Sequence, residues 1–205
     1  MKSNMQTFPE IRSVDSADAE HLPLTSFEGK IHIITSIEQV HAAVKYLQTC
    51  SKLGFDTETR PSFKKGLLYP LSLLQLSTES HAFLFRLQYC GLPKELCDIL
   101  ASPSIIKVGA AIHDDVAALQ KITKFKPQGF IDLQTIAKQL EIENFGLKKL
   151  AQLVLGIRIS KRQQLSNWDS QKLTESQCLY AATDAWVSLE IYKKLETFLH
   201  DTTIS

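Results

Sequence analysis

The segment Tyr180–Ala–Ala–Thr–Asp184 sets the strongest condition on how this chain folds. At helical spacing Tyr180 and Asp184 share one face, and that face continues through Val187, Ile191, Leu195 and Phe198. A helix patterned in this way buries its apolar stripe, and Asp184 is carried in with it. A carboxylate buried without a partner is expensive. The rest of the chain must therefore bring something to Asp184: an arginine, a backbone donor or a bound cation.

The remaining pattern says what surrounds that helix. Lys30 to Thr35 reads as a strand, followed by a helix to about Thr49 that opens at Ser36 with Gln39 three residues on, a capping-box pair. Lys52 to Thr59 is a second strand, and residues 60–66 form a loop marked by Pro61 and Gly66. Leu71–Ser77 and His81–Leu87 read as a strand pair. Pro93 opens a helix running to Leu100, Ile105–Gly109 is a short buried strand, a helix spans His113–Thr123, and a further short strand ends near Asp132. Helices follow over 133–141 and 147–154, and the last runs from Thr174, again paired with a Gln three residues on, to about Leu199. This order predicts one α/β domain over residues 29–205, a mixed sheet flanked by helices. Residues 1–28 are polar, show no sustained period and read as a partly ordered extension.

Composition narrows the class. Hydrophobic residues make up 44% of the 205, enough for a sizeable core, yet no run approaches the ~20 apolar residues of a membrane span. No secretory signal is visible at the N-terminus. Cys50, Cys90, Cys97 and Cys178 form no close pair, which predicts reduced thiols in a cytoplasmic protein and argues against zinc. The net charge of +1 is uninformative, but Lys148, Lys149, Arg158, Lys161 and Arg162 lie in a stretch without acids, and Lys64 and Lys65 form a smaller basic spot. Either is readable as solvated surface or as a phosphate contact.

Three segments offer inward-pointing acids. Asp56 and Glu58, two apart on a strand, leave one face while Leu53 and Phe55 leave the other. In VGAAIHDDVAALQKI the helical wheel turns Asp115 toward Leu119 and Ile122, and Asp114 toward Lys121; His113 reads as a helix-start residue. Asp184 is the third. Hard oxygen donors from a strand, a helix start and a late helix suit Mg²⁺ or Mn²⁺. Two such ions ~3.5–4 Å apart can serve both the attacking and the leaving oxygen of a phosphodiester.

Taken together, GFDTET, KVGAAIHDDVAAL and YAATDAW resemble the three exonuclease motifs of the DEDDy family, the group of ribonuclease D, the Werner-syndrome exonuclease domain and the proofreading domains of DNA polymerases. PLSLLQLS, FIDLQTIAKQL with Asp132, and QLSNWDSQKLTESQCLYAATDAW agree in order, so the likeness covers about Lys30 to Leu199. It implies an RNase H-like fold, two divalent ions and 3′–5′ exonuclease action on a single-stranded or recessed 3′ end of DNA or RNA. By the same resemblance Asp56, Glu58 and Asp184 hold one ion, Asp56 bridges to the second, Asp115 acts on the second mainly through water, and Tyr180 orients the attacking water. Ala111 stands where the motif often has Gly. The resemblance further implies a stand-alone catalytic domain, and the lack of a long apolar run predicts no membrane partner. Lys64, Lys65, Lys148, Lys149, Lys161 and Arg162 are the candidate phosphate contacts, and Phe63, Leu68, Tyr69 and Trp168 the candidates for a wedge beside the ions, with the core the favoured place for Phe63 and Trp168. A catalytically weak nucleic-acid-binding module with the same fold is the alternative, and a hydrolase of small phosphoesters, which would need a closed pocket, a third.

Overall fold

The computed structural model describes residues 19–64, 66, 69–143 and 145–202, with side chains to residue 197. Among them a six-stranded sheet runs β1–β4–β3–β2–β5–β6. Its strands are β1 (Lys30–Ile34), β2 (Lys52–Thr59), β3 (Leu71–Ser77), β4 (His81–Arg86), β5 (Ile106–Gly109) and β6 (Phe130–Asp132). β2, β3 and β4 form an antiparallel meander, while β1 on β4, β5 on β2 and β6 on β5 pair in parallel. The sheet is thus mixed, with β2 at its centre.

Helices cover both faces. Strand alternation sends Leu53, Phe55, Leu74, Leu76, Phe83 and Phe85 into one apolar cluster with α1 (Ile37–Leu47), α3 (Lys94–Ala101) and Leu119 of α4 (His113–Ile122). Between β4 and α3 lies the single turn α2 (Leu87–Cys90). The opposite face receives α7 (Glu175–Thr202), whose Val187, Ile191 and Leu195 pack with Val108 and with Leu133 and Ile136 of α5 (Leu133–Gln139). The single turn α6 (Leu147–Leu150) continues into a π-wound turn (Ala151–Leu155) that ends at Gly156 in a left-handed conformation, φ 66°. An uninterrupted helix over 147–154 was expected there; Gly156 supplies the left-handed stop.

Helix starts follow their capping residues. Ser36 accepts from Gln39 N while the Gln39 side chain accepts from Ser36 N, and Thr174 with Gln177 repeats the exchange ahead of α7. Residues 19–28, the described part of the expected extension, lie against the domain: Ala19 and Phe27 are buried, and Thr25 N donates to Arg158 O at 2.8 Å. Among the described residues no helix is long and apolar enough to cross a membrane.

Candidate functional site

Gly54 determines how closely α7 approaches the sheet. It lies on the α7 side of β2, and a Cβ built there would stand 1.9 Å from the carbonyl oxygen of Ala185. The missing side chain lets the helix backbone touch the strand, which carries Asp184 to the end of β2 where Asp56 and Glu58 project from the same face. Ligand oxygens of Asp56, Glu58 and Asp184 lie within 4.8 Å of one another. Asp184 is 6% exposed, and its Oδ1 accepts no hydrogen bond among the described residues.

The electrostatics follow from that crowding. Burial first, then the charges of Asp184 and Asp115, hold the Asp56 carboxyl well above the usual carboxylate range. Burial and the neighbouring Asp56, Asp184 and Asp115 push Glu58 to about 10. Burial raises Asp184 to about 6, against the opposing influence of Tyr180 and Lys148. The set is short of positive charge, and hard divalent cations fit both the donor chemistry and the unpartnered Asp184 oxygen.

Asp115 reaches this group from the other side of the sheet. Thr57, between the two strand acids, points to the opposite face and donates its hydroxyl to Asp115 Oδ1 at 2.5 Å. The start of α4 is held in place by Asp132, which accepts from Ala111 N and Ile112 N at 3.0 and 3.3 Å and also caps α5 through Gln134 N at 2.8 Å. Ala111 has φ 60°, a left-handed conformation that explains why glycine suits this position. Asp114 and His113 are exposed and pair with each other at 3.2 Å. Leu119 is buried below Asp115, whereas Ile122 is exposed, so the predicted inward face extends only as far as Leu119.

Tyr180 is buried beside Asp184. Its phenol is pushed upward first by burial, then by Asp184 and Glu58, so it stays protonated. Its ring packs on Trp168 with centroids 6.0 Å apart. Trp168 is fully buried and is therefore core, not a wedge. The segment around it is pinned by Ser72 Oγ to Asp169 at 2.6 Å, Arg86 to Ser170 O at 2.6 Å and Gln177 Nε2 to Ser166 Oγ at 3.0 Å. Phe63 is 84% exposed. Arg60 lies over the Tyr69 ring at 4.7 Å. Leu68 and Lys65 lie outside the described residues.

The basic candidates separate into three hollows. Arg162 lines a cavity of about 360 Å³ with Tyr180 and Asp184. Lys148, Lys149 and Lys161 line a second of about 380 Å³ with Arg158. Lys64 lines a third of about 300 Å³ with Arg60, Phe63 and Tyr69. Leu24 lines both of the first two, so these hollows adjoin in a groove that Tyr180 and Asp184 line at one end. Sequence reasoning missed Gly54, Thr57 and the Asp132 anchor. An isolated glycine inside a strand, and the alternation that puts Thr57 opposite its neighbours, were the available signals.

Known proteins agree with this architecture. The 3′–5′ exonuclease family profile matches residues 31–200. Over 197 residues the chain is 31% identical to the human exonuclease mut-7 homolog, covering 80% of this chain and 22% of the relative. It is 36% identical over 149 residues to the mouse bifunctional 3′-5′ exonuclease/ATP-dependent helicase WRN, covering 70% and 11%. The chain therefore spans less than a quarter of the length of these relatives. Among solved structures, the Aedes aegypti Nibbler EXO domain superposes with a TM-score of 0.75 at 24% identity, over 87% of this chain and 94% of that one. Escherichia coli RNase D superposes with a TM-score of 0.74 at 25% identity, over 85% and 46%. Profile, relatives and fold converge: the chain belongs to the 3′–5′ exonuclease family, with the RNase H-like α/β fold of its DEDDy branch.

Proposed function

We infer that this chain is a catalytically active, metal-dependent exonuclease that removes nucleotides from the 3′ end of DNA or RNA. The observation that carries the reading is the meeting of Asp56, Glu58 and Asp184 within 4.8 Å, with Asp184 also lining the hollow of Tyr180 and Arg162. These three carboxylates would hold one Mg²⁺ or Mn²⁺, with Asp56 shared and Asp115 serving a second ion. Such ions, when bound, make water a better nucleophile and offset charge on the phosphodiester.

The protein's own groups do the rest. Thr57 fixes the Asp115 carboxylate, and Gly54 sets the distance between the strand acids and Asp184. Tyr180, protonated and packed against Trp168, serves as a fixed hydrogen-bonding group that orients the attacking water; it does not act as a phenolate base. Lys148, Lys149, Lys161 and Arg162 line the two adjoining hollows and Lys64 a separate one, and these are the candidate phosphate contacts. No side chain of the expected set is missing, so the reading as a weak binding module has no observation in its favour. The free cysteines suit a reducing compartment and are the basis for placing the protein in the cytoplasm.

The test uses matched DNA and RNA oligonucleotides, 5′-labelled, as single strands and with recessed 3′ ends. Mg²⁺ or Mn²⁺ should give a ladder of single-nucleotide steps that chelator stops. Tyr180→Phe should lower kcat by ~10²-fold or somewhat less, within or just under the ~10²–10⁴ range of positioned proton transfer, with KM nearly unchanged. Cleavage of a circular strand as fast as a linear one would reject exonuclease action. A Tyr180→Phe enzyme with wild-type kcat, with chemistry rate-limiting, would reject the role of the phenol.

A further inference from the structure

Residues 22–27 are built into the edge of the groove. Thr25 N donates to Arg158 O and Arg158 N to Pro23 O, both at 2.8 Å, and Arg158 Nε donates to Leu22 O at 2.8 Å. Phe27, 3% exposed, packs on Trp186 with ring centroids 6.1 Å apart, and its N–H donates to Thr183 Oγ1 at 3.0 Å. Between these anchors Leu24 pairs with Arg158 through its backbone, yet remains 67% exposed.

Its position gives that exposure meaning. Leu24 stands on the rim shared by two hollows. On one side is the cavity of Tyr180, Asp184 and Arg162. On the other, Lys148, Lys149, Arg158 and Lys161 gather around a hollow whose lining includes a single acid, Glu20. We propose that residues 22–27 form a substrate-binding ridge: a nucleic-acid strand whose 3′ end reaches the carboxylates crosses the chain at Leu24, which packs against a base, and places a backbone phosphate in the lysine-lined hollow. The inference rests on the exonuclease reading of the carboxylate site.

Three physical points support it. A hydrogen-bonded backbone already holds Leu24 outward, so binding carries little further ordering cost. Base faces are apolar and accept an apolar neighbour regardless of sequence. Charge is also divided as such a strand requires, with acids at the cleavage end and cations one step along the groove, where Lys148 Nζ donates to Ser160 O at 2.8 Å and so ties the hollow to the loop carrying Lys161 and Arg162.

Fluorescence anisotropy with a 5′-fluorescein single strand, in chelator and across a salt series, reads this without turnover. Leu24→Ser should weaken binding roughly five- to tenfold with an unchanged salt slope, and should leave the melting temperature unchanged because the side chain is exposed. Lys161→Ala should weaken binding and lower the salt slope by about one unit. Under turnover with Mn²⁺, Leu24→Ser should raise KM and spare kcat. Wild-type affinity in Leu24→Ser at a wild-type melting temperature would overturn the proposal, as would a wild-type protein that binds no strand. Binding without hydrolysis in the wild type would count against the nuclease reading alone.

Discussion

Gly54→Ala tests the geometry on which the site depends. The added methyl would meet the Ala185 carbonyl oxygen at 1.9 Å and Ser77 Oγ at 2.5 Å. The serine can rotate away, but the helix carbonyl cannot. Restoring an ordinary contact of about 3.5 Å requires α7 and β2 to separate by roughly 1.5 Å. Asp184 is the residue next to that carbonyl, and its oxygens lie within 4.8 Å of those of Asp56 and Glu58. The shift is thus about a third of the span across which the carboxylates face one another. A misplacement of ~1 Å can cost on the order of 10²-fold in rate, so kcat should fall by at least about 100-fold. Overpacking costs about 1–3 kcal/mol, or roughly 2–4 °C in melting temperature per kcal/mol for a chain of this size. Circular dichroism, thermal melts and the oligonucleotide ladder report fold, stability and rate separately. Gly146→Ala is the control, since a Cβ there meets nothing within 4 Å; it should be nearly silent. A Gly54→Ala protein with wild-type melting temperature and kcat would refute the claim that this close approach positions Asp184.

Other perturbations have defined outcomes. Asp115→Asn should reduce activity far more than Asp114→Asn, and Thr57→Val should reproduce part of the Asp115 loss while raising the Mn²⁺ needed for half-maximal rate; the reverse ranking would move the second motif by one residue. In chelator, stability should fall as pH rises from about 4 toward 10, because Asp56, Glu58 and Asp184 are all held above their unfolded values and the folded state therefore binds the extra protons. Asp56→Asn should flatten that slope and melt above wild type at pH 8, and equal melting temperatures there would contradict it. Ala111→Gly should raise stability by about 0.5–1 kcal/mol, the ~1–2 kcal/mol relieved at φ 60° less the greater freedom of unfolded glycine; a lower melting temperature would show that the turn is not strained.

Local chemistry explains which parts of the fold were legible in the sequence. The two capping boxes placed the starts of α1 and α7, and strand alternation gave β2 its bounds and its two faces. Asp115 could be separated from Asp114 because a helix start has one inward direction. What was missed depends on distant partners. The segment at 22–27 has no period of its own and is ordered by Arg158, 136 residues from Leu22. The core, favoured for both Trp168 and Phe63, holds for Trp168, which β3, β4 and α7 close over, and fails for Phe63, which is exposed. The π-wound turn keeps the apolar spacing of an α-helix closely enough that only its hydrogen bonds reveal it.

The same close packing of α7 on β2 has a consequence for how the protein is made. Asp56 and Glu58 leave the ribosome early and Asp184 late, so no nascent chain shorter than 184 residues contains the carboxylate trio. Because α7 must also dock along the bare backbone at Gly54 before the acids converge, a chain that already contains all three acids lacks the site until that helix seats. The carboxylate trio is therefore assembled only as the last described helix docks, however early its first two members are made.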